Sequence, residues 1–175
     1  MSPSELFHTE YVESAVIPGS VPLETTNTDF EVLGVDHLDL TVTDLSRSLP
    51  FYEKILGALG FRKLVHPHYN GFHNAHLIIG IKEAAPEERA AGYNRFRAGL
   101  HHLALKAKHK DDVDRLHNFL VTEGVTVLDP PADYPEYGPH YYAVFFADPD
   151  GMKLELVHYP VPWSYWRDTQ MEDQG

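Results

Sequence analysis

The sequence predicts an α+β domain assembled from two copies of one strand-helix-strand-strand-strand module, and three observations carry that reading. Gly34-Val35-Asp36-His37-Leu38-Asp39-Leu40 is matched by Gly99-Leu100-His101-His102-Leu103-Ala104-Leu105 at an offset of 65. Each copy is followed by an amphipathic segment and then a glycine, Gly60 and Gly124, now at an offset of 64. The length of 175 residues suits one domain of ordinary size, or two smaller halves if they are repeats, and an apolar fraction of 43% can build a core.

In the first module, residues 33–81, Val35 to Val42 alternates like a strand, with Leu38, Leu40 and Val42 on one face and His37, Asp39 and Thr41 on the other. Asp44 reads as the N-cap of a helix from Leu45 to Leu56, in which Pro50 predicts a kink or a late start. Phe61 to Val65 and His76 to Ile81 read as strands, with a turn over 67–70. Residues 82–98 form a linker with helix formers in its middle.

In the second module, residues 99–158, Leu103 and Leu105 repeat the core-facing set of the first strand. Asp111 or Asp112 is expected to cap a helix whose buried stripe is Val113, Leu116, Phe119 and Leu120, ended by Gly124. Val125 to Leu128 reads as a short strand, 129–139 as a proline-rich loop, and Tyr141 to Phe146 as a strand. Asp148-Pro149-Asp150-Gly151 is a turn, since proline presets φ and glycine tolerates positive φ. Met152 to His158 is the last strand. Residues 1–32 precede the repeat as an extension, and 159–175 form a tail with Trp163, Tyr165 and Trp166.

Charge narrows the function. Lys and Arg number 14 against 26 Asp and Glu, a net charge of −12 that repels phosphate backbones and anionic lipid, so no nucleic-acid or membrane partner is expected. Without cysteine, thiolate ligation and cysteine nucleophiles are excluded, and any metal must be held by His, Asp or Glu. Neither a signal peptide nor a membrane span is read from the sequence, and a cytoplasmic protein is the expectation.

Three residues fall on the face opposite the core set: His37 and His102 on the first strand of each module, and Glu155 on the last strand of the second. One histidine taken alone is more often a satisfied strand residue than a ligand. The paired repeat positions reverse that weighting, because pseudo-symmetry lets the two imidazoles converge on one point. Glu155 lies between Leu154 and Leu156, where an unpaired charge is costly, so it calls for a metal or a basic partner such as Lys153. Two imidazoles and one carboxylate suit a divalent metal with open positions: Zn, Mn, Ni or Fe(II). Aligning Lys153-Leu154-Glu155 with His76-Leu77-Ile78 puts Ile78 at the matching position of module one, so no fourth ligand is expected. Tyr141, Tyr142 and His140 are candidate acid-base or orienting groups, with only one of the two tyrosines able to face the cleft. His76 is a possible outer donor, whereas His66, His68 and His73 have no ligand geometry behind their spacing.

The His-Leu-x-Leu start, the Ser48-Leu49-Pro50-Phe51-Tyr52 to Leu56-Gly57 helix and the Asp148-Pro149-Asp150-Gly151-x-x-x-Glu155 ending resemble the vicinal oxygen chelate superfamily of glyoxalase I, fosfomycin-modifying thiol transferases, extradiol dioxygenases and bleomycin-binding proteins. The likeness covers 33–158. It implies a pair of curved mixed-sheet half-barrels around a metal cleft, with His37, His102 and Glu155 on the ligand positions, and sites often completed across a homodimer.

Three functions follow as expectations. The favoured one is a metal-dependent lyase, isomerase or group-transfer enzyme of the glyoxalase kind, acting on a small oxygenated substrate. An Fe(II) ring-cleaving dioxygenase is the first alternative, although such enzymes usually carry a second pair of modules. A metal-free drug- or metabolite-binding protein is the other, and it needs no filled ligand triad. Burial of the aromatic tail in a homodimer is also expected.

Overall fold

The computed structural model describes residues 32–161, so nearly all of the N-terminal extension and the tryptophans of the tail lie outside the described residues. The chain divides after Gly34, and the unit from Val35 onward holds every element below. Its order is β1 (His37–Val42), α1 (Leu45–Ala58), β2 (Arg62–Lys63), β3 (Gly71–His73), β4 (Ile78–Glu83), β5 (Leu103–Lys106), α2 (Lys110–Thr122), β6 (Val127–Asp133), β7 (Tyr142–Ala147) and β8 (Lys153–His158). Two four-stranded mixed sheets result, ordered β1-β4-β3-β2 and β5-β8-β7-β6. In each the module's first strand lies parallel to its last and the remaining pairs are antiparallel, so the repeat read from the sequence is a repeat of topology.

Local chemistry explains most boundaries. Asp44 caps α1, its carboxylate accepting from the Ser46 and Arg47 amides at 2.9 and 3.3 Å. The helix starts at Leu45 and runs through Pro50, so the expected late start is not found. The cap of α2 lies earlier than expected: His109 is the N-cap, and Asp112, in the first turn, accepts from the His109 amide at 2.9 Å. β3 was not foreseen, being three residues that open on a glycine. The segment 129–133, read as loop, continues β6 through Pro130 and Pro131 with two register shifts. Proline is tolerated there because β6 is an edge strand and the irregularities absorb its missing donor.

One core joins the modules. Tyr52, Ile55 and Leu56 of α1 and Val113, Leu116 and Leu120 of α2 are buried together with Leu40, Ile79 and Ile81 of the first sheet and Val144, Phe146, Leu154 and Leu156 of the second. Truncating any of these leucines or isoleucines to alanine costs about 2–5 kcal/mol. Polar ties run across the same junction. The Asp148–Gly151 turn is folded around Asp148, whose Oδ1 accepts from the Asp150 and Met152 amides at 2.8 Å each. Its Oδ2 accepts from the buried Tyr52 hydroxyl of α1 at 2.8 Å. Asp150 reaches back to module one, taking the Thr43 amide and hydroxyl at 2.6 Å each and pairing with Arg47. The turn before β8 is thereby anchored to the β1–α1 junction, which fixes the strand that carries Glu155.

Candidate functional site

The faces turned away from the shared core carry the chemistry. On the second sheet the register sets Ala104 of β5 beside Glu155 of β8, and Glu155 beside Phe145 of β7. Glu155 is buried, its side chain 1% exposed, and it meets His102 Nε2 at 3.3 Å through Oε2. Its Oε1 accepts from the Tyr141 hydroxyl at 2.5 Å. Burial raises the Glu155 carboxyl above its ordinary range despite that bond. Burial and the Glu155 hydrogen bond push the Tyr141 phenol up, so it remains a donor. Burial, then His101, Lys153 and Arg95, lower His102 and favour its neutral form. Ala143, Phe145 and Val157 form a small apolar cluster under this site, packed by Tyr134, Tyr141 and Tyr159. Tyr134 stands edge-on to Phe145 at 5.2 Å, and Tyr137 edge-on to Tyr141 at 5.4 Å.

Lys153, the expected basic partner of Glu155, lowers its carboxyl through space but forms no ion pair with it. Lys153 Nζ lies 3.6 Å from the centre of the Phe145 ring, and among the described residues no lysine or arginine stands within ion-pair distance of Glu155. A buried carboxylate facing a neutral imidazole, with no lysine or arginine in ion-pair contact among the described residues, is the donor chemistry that suits a divalent metal.

His37 stands apart from this pair. Its side chain is 55% exposed and its Nδ1 lies 2.7 Å from Asp36 Oδ1. Among the described residues of one chain, no three His, Asp or Glu side chains gather as a metal-holding set. Both helices and one face of each sheet are buried in the shared core, and the expected gathering of His37, His102 and Glu155 is not found among the described residues of one chain.

The first sheet also corrects the alignment of the modules. With His37 matched to His102, the β1–β4 pair Asp39↔Gly80 is the counterpart of the β5–β8 pair Ala104↔Glu155. Gly80, not Ile78, is therefore the equivalent of Glu155. The carboxylate has changed strands: Asp39 lies over Gly80, accepting from the Tyr69 hydroxyl at 2.8 Å on Oδ1 and from Lys82 Nζ at 2.6 Å on Oδ2. Lys82 foremost, with help from Tyr69, lowers the Asp39 carboxyl. Burial and the Asp39 bond push Tyr69 up to about 12. Neither Asp39 nor Tyr69 was singled out from the sequence. Gly71 and Gly80, isolated glycines on paired strands, were the available signal, since such glycines mark a close approach.

Of the remaining candidates, Tyr142 points to the helix side, donating to Asp114 of α2 at 2.7 Å, so Tyr141 is the tyrosine on the site face. His140 is exposed, with a left-handed φ of 62°. His101 Nδ1 lies 2.8 Å from His102 Nδ1, a neighbour the strand alternation had set aside. His76 and the His66–His68 pair are exposed.

Residues 34–156 match the family model Glyoxalase/Bleomycin resistance protein/Dioxygenase superfamily. A 2-epi-5-epi-valiolone epimerase from Actinomyces sp is 30% identical over 163 residues, covering 79% of this chain and 86% of the relative. The metallothiol transferase FosB of Bacillus licheniformis is 30% identical over 129 residues, 72% of this chain and 75% of the relative. The crystal structure of a glyoxalase/dioxygenase from Nostoc punctiforme superposes with a TM-score of 0.58 at 22% identity, covering 74% of this chain and 92% of that one, and supports the fold.

Proposed function

The chain belongs to the Glyoxalase/Bleomycin resistance protein/Dioxygenase superfamily, and on that premise we propose that it is a metal-dependent cytoplasmic enzyme of the glyoxalase-like kind, catalysing an isomerase, lyase or group-transfer step on a small oxygenated substrate. The observation that carries the reading is Glu155: a buried carboxylate 3.3 Å from His102, hydrogen-bonded by Tyr141 and lacking a basic partner among the described residues. His102 and Glu155 of one copy would hold the metal, Zn, Mn, Ni or Fe(II), and His37 of a second copy would complete the set in a homodimer. When bound, the metal supplies a Lewis acid for adjacent substrate oxygens.

The chain's own groups do the rest. Tyr141 fixes the orientation of Glu155 by donating to Oε1, leaving Oε2 toward His102. Tyr134, Tyr137 and Phe145 wall the site and reduce the access of water. Among the relatives, an epimerisation asks for no second substrate, only removal and return of a proton at one carbon. The FosB-like transfer fits less well, because Lys153 and Lys82, the lysines nearest the two carboxylates, are already engaged by Phe145 and Asp39.

Elemental analysis of protein purified without chelator tests this. About one metal per chain is expected in the wild type and background metal in Glu155→Gln, with the fold retained by circular dichroism. Equal metal in both proteins would remove Glu155 from the site. Iron as the resident ion would favour the ring-cleaving reading, and no metal under replete conditions the binding-protein reading.

A further inference from the structure

The Asp39–Tyr69–Lys82 unit on the first sheet is built around two glycines. Gly71 and Gly80 are cross-strand partners, and side chains at either would destroy the arrangement. A Cβ at Gly71 would meet Tyr69 Cε1 at 2.5 Å and Leu64 Cδ1 at 2.8 Å. One at Gly80 would run into Asp39 Oδ1 and the Tyr69 hydroxyl, with Tyr69 Cζ at 2.7 Å. The tyrosine ring thus rests on a side-chain-free floor that delivers its hydroxyl to Asp39. This is costly in strand propensity, and the core does not need it, because the unit stands on the sheet face away from the helices.

We infer that this unit is a recognition element for hydroxyl groups, and that the substrate is a neutral polyhydroxylated molecule, held by Asp39, Tyr69 and Lys82 on module one of the copy that supplies His37, while module two of its partner holds the metal. The inference rests on the function proposed above. It follows from what each class of ligand would meet. Lys82 at 2.6 Å neutralises Asp39, which removes the incentive for a metal ion. Asp39 repels an anion, and Arg97, the cation that lines a cavity with Asp39 and Thr41, is tied to the Ala91 carbonyl at 3.0 Å. Hydroxyls both donate and accept. Asp39 keeps lone pairs to accept from them, Lys82 keeps ammonium protons to donate, and Thr41, exposed on the same strand face, can do either. Lys82 is half-exposed and Asp39 a quarter exposed, hence reachable, with side chains 54% and 25% accessible.

Equilibrium binding by calorimetry on the metal-loaded full chain, with metal content measured on each sample, tests the inference. The probes are neutral myo-inositol, glucose and xylitol, against myo-inositol 1-phosphate and glucose 6-phosphate. At least one neutral probe is expected to bind, and more tightly than its phosphate. Asp39→Asn and Tyr69→Phe should weaken that binding about ten-fold or more, as expected for losing a hydrogen bond to a charged group or its orienting partner. Metal content should stay at the wild-type level in both variants. Absence of binding by all neutral probes, tighter binding of a phosphate, or unchanged affinity in both folded variants would overturn it. Loss of metal in wild-type protein would instead count against the proposed function, and Glu155→Gln reports on that separately.

Discussion

The two modules place one carboxylate in the same cross-strand slot, but prepare it for opposite purposes. In module two Glu155 comes from the last strand, is buried, is shifted upward and has no basic partner among the described residues. In module one Asp39 comes from the first strand, is part-exposed, is shifted downward and has Lys82 on it. Each accepts from a tyrosine hydroxyl, Tyr141 or Tyr69. A duplicated scaffold therefore keeps the slot and changes the solvation, and solvation decides whether the carboxylate waits for a metal or serves as a hydrogen-bonding group.

The largest expected effect lies at the junction that holds both sites in register. Asp150→Ala removes the acceptor for the Thr43 amide and hydroxyl and for Arg47, and should lower unfolding free energy by about 2–4 kcal/mol in chemical denaturation. A loss below about 0.5 kcal/mol would show that the modules are held by the apolar core alone. Gly80→Ala should cost about 1–3 kcal/mol, because its methyl meets Asp39 and Tyr69. In the same cross-strand slot of module two, exposed Ala104, the counterpart of Asp39, should accept serine within about 0.5 kcal/mol. Equal responses at the two positions would erase the asymmetry between the slots. Tyr52→Phe removes the donor to buried Asp148 Oδ2 and should cost about 1–3 kcal/mol by thermal unfolding.

The smallest effect is in the pH dependence of the metal-free protein. Asp148 and Glu155 have folded-state values raised above 3.8 and 4.5, chiefly by burial. The folded state then binds more protons than the unfolded, so stability rises as pH falls from neutral through their folded values and levels off below 3.8 and 4.5. Asp39 is lowered, so its contribution is present above 3.8 and is lost as pH falls through its folded value. Denaturation in chelator across this range should show a rise followed by a fall, and Asp148→Asn should flatten the rise.

The sequence made the modules legible because repeated strand starts and period-2 faces are local signals. The alternation of β1 put His37, Asp39 and Thr41 together, and the turn around Asp148 and Gly151 formed as its residues require. Residue spacing did not reveal the partner of Glu155, since the segments between helix and last strand differ in length and strand pairing alone sets the register. β6 was hidden by Pro130 and Pro131, which an edge strand with irregular register accommodates. The parting of His37 from His102 was hidden as well. Alternation tells the polar face of each strand from the apolar one, but not how the two sheets are set against each other, which the packing of α1 and α2 decides.

The central claim is that module two's His102 and Glu155 hold the metal with His37 from a second copy. Mixing two inactive-site variants, His37→Ala and Glu155→Gln, after co-refolding tests it most directly, with metal per dimer as the readout. Each parent should retain no metal, and the mixture should recover one intact site in every heterodimer. Metal that stays at background in a heterodimer verified by mass would contradict a site shared between copies.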